Sequence, residues 1–175
     1  MMTLTEQGRP NARGEAMVAE LKWVHDMIRH DLGLIRQMAE DAEQGRPASA
    51  IRGAIRSLAS GSAVWQLKVS CLQHCRLVHS HHTHESMMLF PALRQANPAL
   101  NPVVDKLEAD HARVSDLLDE VEAASRQLGE RDETAARQRL VTALRTLSDD
   151  LLDHLQYEEE QISGTLRTWT SWPGW

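Results

Sequence analysis

His81 and Glu85 in HSHHTHESMMLFPAL, and His154 and Glu158 in LLDHLQYEEEQI, repeat one pattern: a histidine followed four residues later by a glutamate. On a helix that spacing puts both side chains on one face, about 6 Å apart, where an imidazole nitrogen and a carboxylate oxygen can reach one metal ion. Two further histidines, His25 and His111, stand alone on other apolar stripes. The six residues match the donors of a carboxylate-bridged two-metal site inside a four-helix bundle. Four separately buried imidazoles would each need hydrogen-bond partners in a dry interior, and two carboxylates buried without cations would be badly destabilising. Neutral imidazole suits Fe, Zn or Cu, and a carboxylate can bridge two cations and offset their charge. Mixed nitrogen and oxygen ligation, with positions left for water, oxygen or peroxide, favours iron over zinc, the rival metal.

Four helices must bring these donors together. Met17, Leu21, Val24, Ile28, Leu32 and Ile35 repeat at spacings of three and four until Gly45-Arg46-Pro47, which predicts the first. The second runs from about Ser62 to Pro91 or slightly beyond, with Leu67, Cys71, His74, Val78, His81, Glu85 and Met88 on its stripe. Pro91 is expected to end or bend it. The third spans about Pro102 to Leu128 through Val104, Leu107, His111, Val114, Leu118 and Val121, with Gly129 as its stop. The fourth starts near Asp132 or Thr134 and carries Leu140, Leu144, Leu147, Leu151, His154, Glu158 and Ile162 to a stop near Gly164. Residues 48–60 read as a short extra helix or connector.

The expected fold is all-α, an up-down-up-down four-helix bundle over residues 13–165. A flexible N-terminal arm (1–12) precedes it and a Trp-rich tail (166–175) packs back on it. At 1.5 Å rise per residue, the four histidines each lie about 15 Å from the same end of such a bundle. They and both glutamates therefore fall in one layer.

The chain has 175 residues, enough for one domain, with 25 acidic against 19 Lys and Arg residues. No basic block marks a nucleic-acid or anionic-membrane partner. No apolar stretch approaches the ~20 residues of a membrane span, and MMTLTEQGRPNARGE lacks the apolar core of a signal peptide. A cytoplasmic protein is expected, with Cys71 and Cys75 as thiols, since a disulfide four residues apart on a helix violates its geometry.

Other residues near the layer take ordinary roles. His79, His82 and His84 crowd the ligand turn, and His82 is the nearest candidate for a further ligand. His30 belongs on the outer side of the first helix. His74 shares the stripe of His81 but sits two turns away, about 10 Å along the axis. It forms a compact cluster with Cys71 and Cys75 that reads as packing. Tyr157 adjoins the layer and reads as a surface residue. Glu158 alone of the run Glu158 to Glu160 should turn inward.

The motifs WVHDMIRHDL, HHTHESMMLFPAL, LEADHARVSDLL and HLQYEEEQI, in this order and spacing, resemble the hemerythrin-like (HHE cation-binding) family over roughly residues 17–163. The resemblance implies a four-helix bundle around a non-haem di-iron centre bridged by oxo or hydroxo and by carboxylates. It assigns the ligands His25, His81, Glu85, His111, His154 and Glu158. The oxygen-carrying members have a second histidine one turn away on the third helix, where this chain has Leu107 and Ser115. That departure favours reactive chemistry at an open site over stable oxygen carriage.

The expected function is turnover of small oxygen species, hydrogen peroxide above all, in a catalase-like or peroxidase-like reaction. The alternative is a sensor or store that binds O₂, NO or iron reversibly. An interaction protein with a structural zinc, or an oxidase of an organic substrate, are the remaining readings. No sequence feature marks an organic-substrate pocket.

Overall fold

The computed structural model describes residues 8–44, 63–129 and 133–174. The expected connector at 48–60 and residues 1–7 of the arm lie outside them. Helix α1 spans Ala12–Glu43. Asn11 caps it, its side chain accepting a hydrogen bond from Gly14 N at 3.0 Å. Helix α2 spans Ala63–His84, passes without a break through a wider turn at Glu85–Leu89, and continues as α3, Phe90–Ala96. A single 3₁₀ turn, Pro98–Leu100, leads into α4, Asn101–Arg126. Helix α5 spans Glu133–Leu166.

Pro91 neither ends the second rod nor sharply breaks it. A proline in a regular helix loses one hydrogen bond and its ring strikes the carbonyl four residues back. Here the turn before it is widened to π geometry, with Phe90 N–H bonded to Glu85 O five residues back. Pro91 then falls in the first turn of α3, where a missing N–H is harmless. The stop expected at Gly164 is also displaced, to Leu166. Ile162 and Leu166 are fully buried, and that burial carries the helix past glycine's low propensity. Gly129, at φ +84°, closes the turn after α4 as expected.

Helix α1 packs on α2 and α5, and α4 packs on the same two. Contacts at the ends fix the directions. Asn11 N–H donates to Arg167 O at 3.0 Å, joining the start of α1 to the end of α5. Lys68 Nζ donates to Arg126 O at 2.9 Å, and Arg137 Nη1 to Ala42 O at 3.1 Å. Arg139 Nε donates to Gln127 Oε1 at 3.1 Å, joining the start of α5 to the end of α4, so neighbouring rods are antiparallel, the up-down-up-down arrangement. Among the described residues there is no strand, and no helix is long and apolar enough to cross a membrane.

The interior is divided in two. A larger apolar cluster contains Ile28, Val78, Val114, Leu151 and Leu155. A smaller one contains Leu21, Leu89, Leu107 and Ile162. On each rod the break between the clusters falls at the histidine and glutamate positions, so one polar layer crosses the bundle.

Candidate metal centre

All six predicted donors meet in that layer. His25 comes from α1, His81 and Glu85 from the second rod, His111 from α4, and His154 and Glu158 from α5. His25 and Glu158 are fully buried and His154, Glu85 and His111 nearly so. His81 is the most open of the six, its side chain 12% exposed.

The ring nitrogens face one another in two pairs. His25 Nε2 lies 3.1 Å from His81 Nε2, and His111 Nε2 lies 3.2 Å from His154 Nε2. Such separations are close to those of two adjacent nitrogens each held at about 2.1 Å from one ion. Glu85 lies between the pairs: Oε1 approaches His81 Nε2 at 3.0 Å and His25 Nε2 at 3.8 Å, while Oε2 approaches His111 Nε2 at 3.4 Å. Glu158 Oε2 reaches His25 Nε2 at 3.4 Å and His154 Nε2 at 3.9 Å. Each carboxylate thus spans the two imidazole pairs.

His82 joins them. It is buried, stacks on His111 with centroids 3.9 Å apart, and makes an edge contact with His154 at 4.9 Å. Two groups of ligand atoms result, each within 4.8 Å: His25, His81, Glu85 and Glu158, and His82, Glu85, His111 and His154. Glu85 belongs to both. The signal for His82 was in the sequence, since it precedes Glu85 by three and so shares its face as His81 does at four.

Burial dominates the electrostatics. It lowers the pKa values of His25, His81 and His111 to about 3 and that of His154 to about 4, and depresses His82 as well. The rings are therefore neutral near pH 7, and their contacts with Glu85 and Glu158 are not ion pairs. Burial also raises both carboxyls, with Glu158 adding to the rise at Glu85 and Glu159 to that at Glu158. No oxygen of Glu85 or Glu158 has a hydrogen-bond partner among the described residues; the 3.0 Å approach of His81 lacks the alignment of one. His82 Nε2 has no such partner either. Buried acceptors left this way are costly unless a cation lies among them. Neutral imidazoles and hard carboxylate oxygens form a donor set that fits a pair of first-row transition-metal ions.

Outer contacts aim the rings. His25 Nδ1 stands 2.9 Å from Glu159 Oε1, and Arg29 Nη2 holds the same oxygen at 2.8 Å. A carboxylate only accepts, so the proton of neutral His25 sits on Nδ1 and the Nε2 lone pair points into the layer. His111 Nδ1 meets Ser86 Oγ at 2.8 Å. Glu159 therefore turns toward α1, contrary to the solvated role expected for it. Its position within a run of three glutamates hid this, although Arg29, one turn after His25, marks a site needing an acid.

A sequence model of the hemerythrin HHE cation-binding domain matches residues 16–166. The chain belongs to this family. No curated protein and no solved structure matches it. Within the hemerythrin domain the remaining candidates lie apart from the layer. His30 and His84 are exposed, and His79 is half-buried near Asp119. Tyr157 packs against the smaller apolar cluster, with Lys106 Nζ 4.2 Å from its ring centroid. Cys71 and Cys75 are buried free thiols, their pKa values pushed up to about 12 mainly by burial, so they are inert near neutral pH. His74 is buried beside them and is in neither ligand group.

Proposed function

We propose that this hemerythrin-like domain holds two non-haem iron ions in the layer and turns over hydrogen peroxide. His25, His81 and Glu158 face one ion and His82, His111 and His154 the other, with Glu85 shared. The observation that carries the reading is the set of four buried, unpartnered carboxylate oxygens ringed by neutral imidazole nitrogens. Iron bound there supplies two redox centres with coordination positions beyond those the protein fills. The chain's own part is to hold and orient: Glu159 fixes the tautomer of His25, Ser86 holds the ring of His111 through Nδ1, and apolar clusters flank the layer on both sides.

The two groups are chemically unlike. One has two imidazoles and two carboxylates, the other three imidazoles and one carboxylate. The carboxylate-rich group contains His81, the donor most open to the surface, where a small oxidant can arrive. This asymmetry supports a reactive centre. Iron-loaded protein should convert hydrogen peroxide to water and oxygen, measured with an oxygen electrode, and His81→Ala should abolish the conversion. Oxygen release no faster than iron in buffer would contradict the proposal.

His82 favours a second reading. It makes good the imidazole that the third predicted helix lacks and brings the layer to five, which suits reversible binding of O₂ or NO. A stable oxy or nitrosyl adduct with negligible peroxide turnover would select it.

A further inference from the structure

A cleft of about 480 Å³ opens onto His81 and Glu85 between α1 and the second rod. Its walls are Leu21 and Val24 of α1, Leu77, Met88 and Leu89 of the rod, and Trp172 from the C-terminal segment. That volume suits an organic molecule of roughly ten to fifteen heavy atoms. Hydrogen peroxide or dioxygen needs only the space of one or two waters, about 30 Å³ each. The cleft is far larger than either demands.

Its polar groups are sorted by depth. Ser80, His84 and Glu20 are exposed and mark the mouth, while Glu85 is the buried floor beside His81. No lysine or arginine lines it. The Glu20 carboxylate is engaged on both oxygens, Oε1 with Arg13 Nη1 at 3.1 Å and Oε2 with Trp172 Nε1 at 2.6 Å. The lining offers the carboxylates of Glu20 and Glu85 and no lysine or arginine, which disfavours an anion; Glu20 is already partnered on both oxygens and Glu85 belongs to the metal-donor layer, so an uncharged ligand fits best.

The C-terminal segment is built in as a wall. Trp172 packs on the smaller apolar cluster and is tied to α1 through Glu20. Gly174, at φ +84°, passes so close to Met88 that a Cβ there would lie 2.2 Å from its Cε. The positive φ favours glycine at that position.

We propose that this cleft binds an uncharged apolar molecule ending in an oxygen function, an alcohol or hydroperoxide, with its oxygen at His81 and Glu85. The apolar body lies against Leu21, Met88 and Trp172. Its role as substrate or product rests on the peroxide reading above, but its binding does not.

Calorimetric titration of cumyl alcohol into the iron-loaded full chain tests the binding without turnover. Saturable binding at one site per chain is expected, displaced by cumene hydroperoxide and not by benzoate. Leu77→Arg and Met88→Trp, each checked for an unchanged helical spectrum, should both weaken it about tenfold or more. Leu34→Arg, on the exposed face of α1 and outside the cleft, should not. No saturable binding by the wild type, equal binding of benzoate, or full affinity in both cleft variants would overturn the proposal. Binding of cumyl alcohol without any peroxide turnover would uphold the cleft and remove the peroxide reading. Turnover of hydrogen peroxide without binding would do the reverse.

Discussion

His82 and His111 stack face to face, with ring planes 10° apart, although one comes from the second rod and the other from α4. The stack fixes both rings at one height and leaves His82 Nε2 inside the layer without a hydrogen-bond partner. His82→Ala should therefore lower bound iron from two toward one per chain. His84→Ala, on the exposed side of the same turn, should leave the content unchanged. Iron analysis of both purified variants checks this.

Glu159 acts through His25. Removing it frees the His25 ring to rotate and leaves Arg29 with Asp26 as its carboxylate partner. Glu159→Ala should weaken metal binding by about 10–100-fold, read by chelator competition. The helical spectrum should not change. An unaltered affinity would show that Glu159 has no orienting role.

Metal removal should make stability depend on pH in both directions. Five layer histidines have folded pKa values depressed below 6.5, four of them to about 3 or 4. The unfolded chain then binds more protons, so stability is lost as pH falls from 6.5 toward 3. Glu158 is raised from 4.5 to about 8, with Glu85 raised also, so the folded state binds more protons and stability is lost as pH rises from 4.5 to about 8. Histidines outnumber carboxylates, which puts the maximum near pH 6 to 7. The melting temperature of metal-free protein should peak there. With iron bound, the fall toward pH 8 should disappear.

Two glycines of α1 should respond oppositely to alanine. A Cβ on Gly14 would lie 2.0 Å from the Arg167 carbonyl oxygen, where α1 and α5 meet. Gly14→Ala should destabilise by about 2 kcal/mol or more, because backbone must move. A Cβ on Gly33 meets nothing within 4 Å. Gly33→Ala should stabilise by about 0.5–1 kcal/mol. Thermal melts of the two variants give the signs directly.

Periodicity made the four rods legible, because each carries apolar residues at helical spacing on a single face. It also placed the donors at one height, since helical rise converts position into depth. Local rules failed where packing overrode them. Pro91 and Gly164 are poor helix residues, yet buried neighbours such as Phe90, Leu93 and Leu166 hold the chain helical around them. His82 stood only as the nearest candidate for a further ligand, because the repeated pattern has a spacing of four, and three serves equally. The cleft could not be read at all. Leu21, Val24, Met88 and Trp172 converge from three separate parts of the chain, and no local pattern records their meeting.

The most direct test of the paired-iron account is iron quantification with an optical spectrum of the purified protein, before and after peroxide. Two irons per chain with oxo-to-iron charge-transfer bands that change on adding peroxide are expected. A chain that retains one iron or none, or holds zinc with a spectrum indifferent to peroxide, would contradict it.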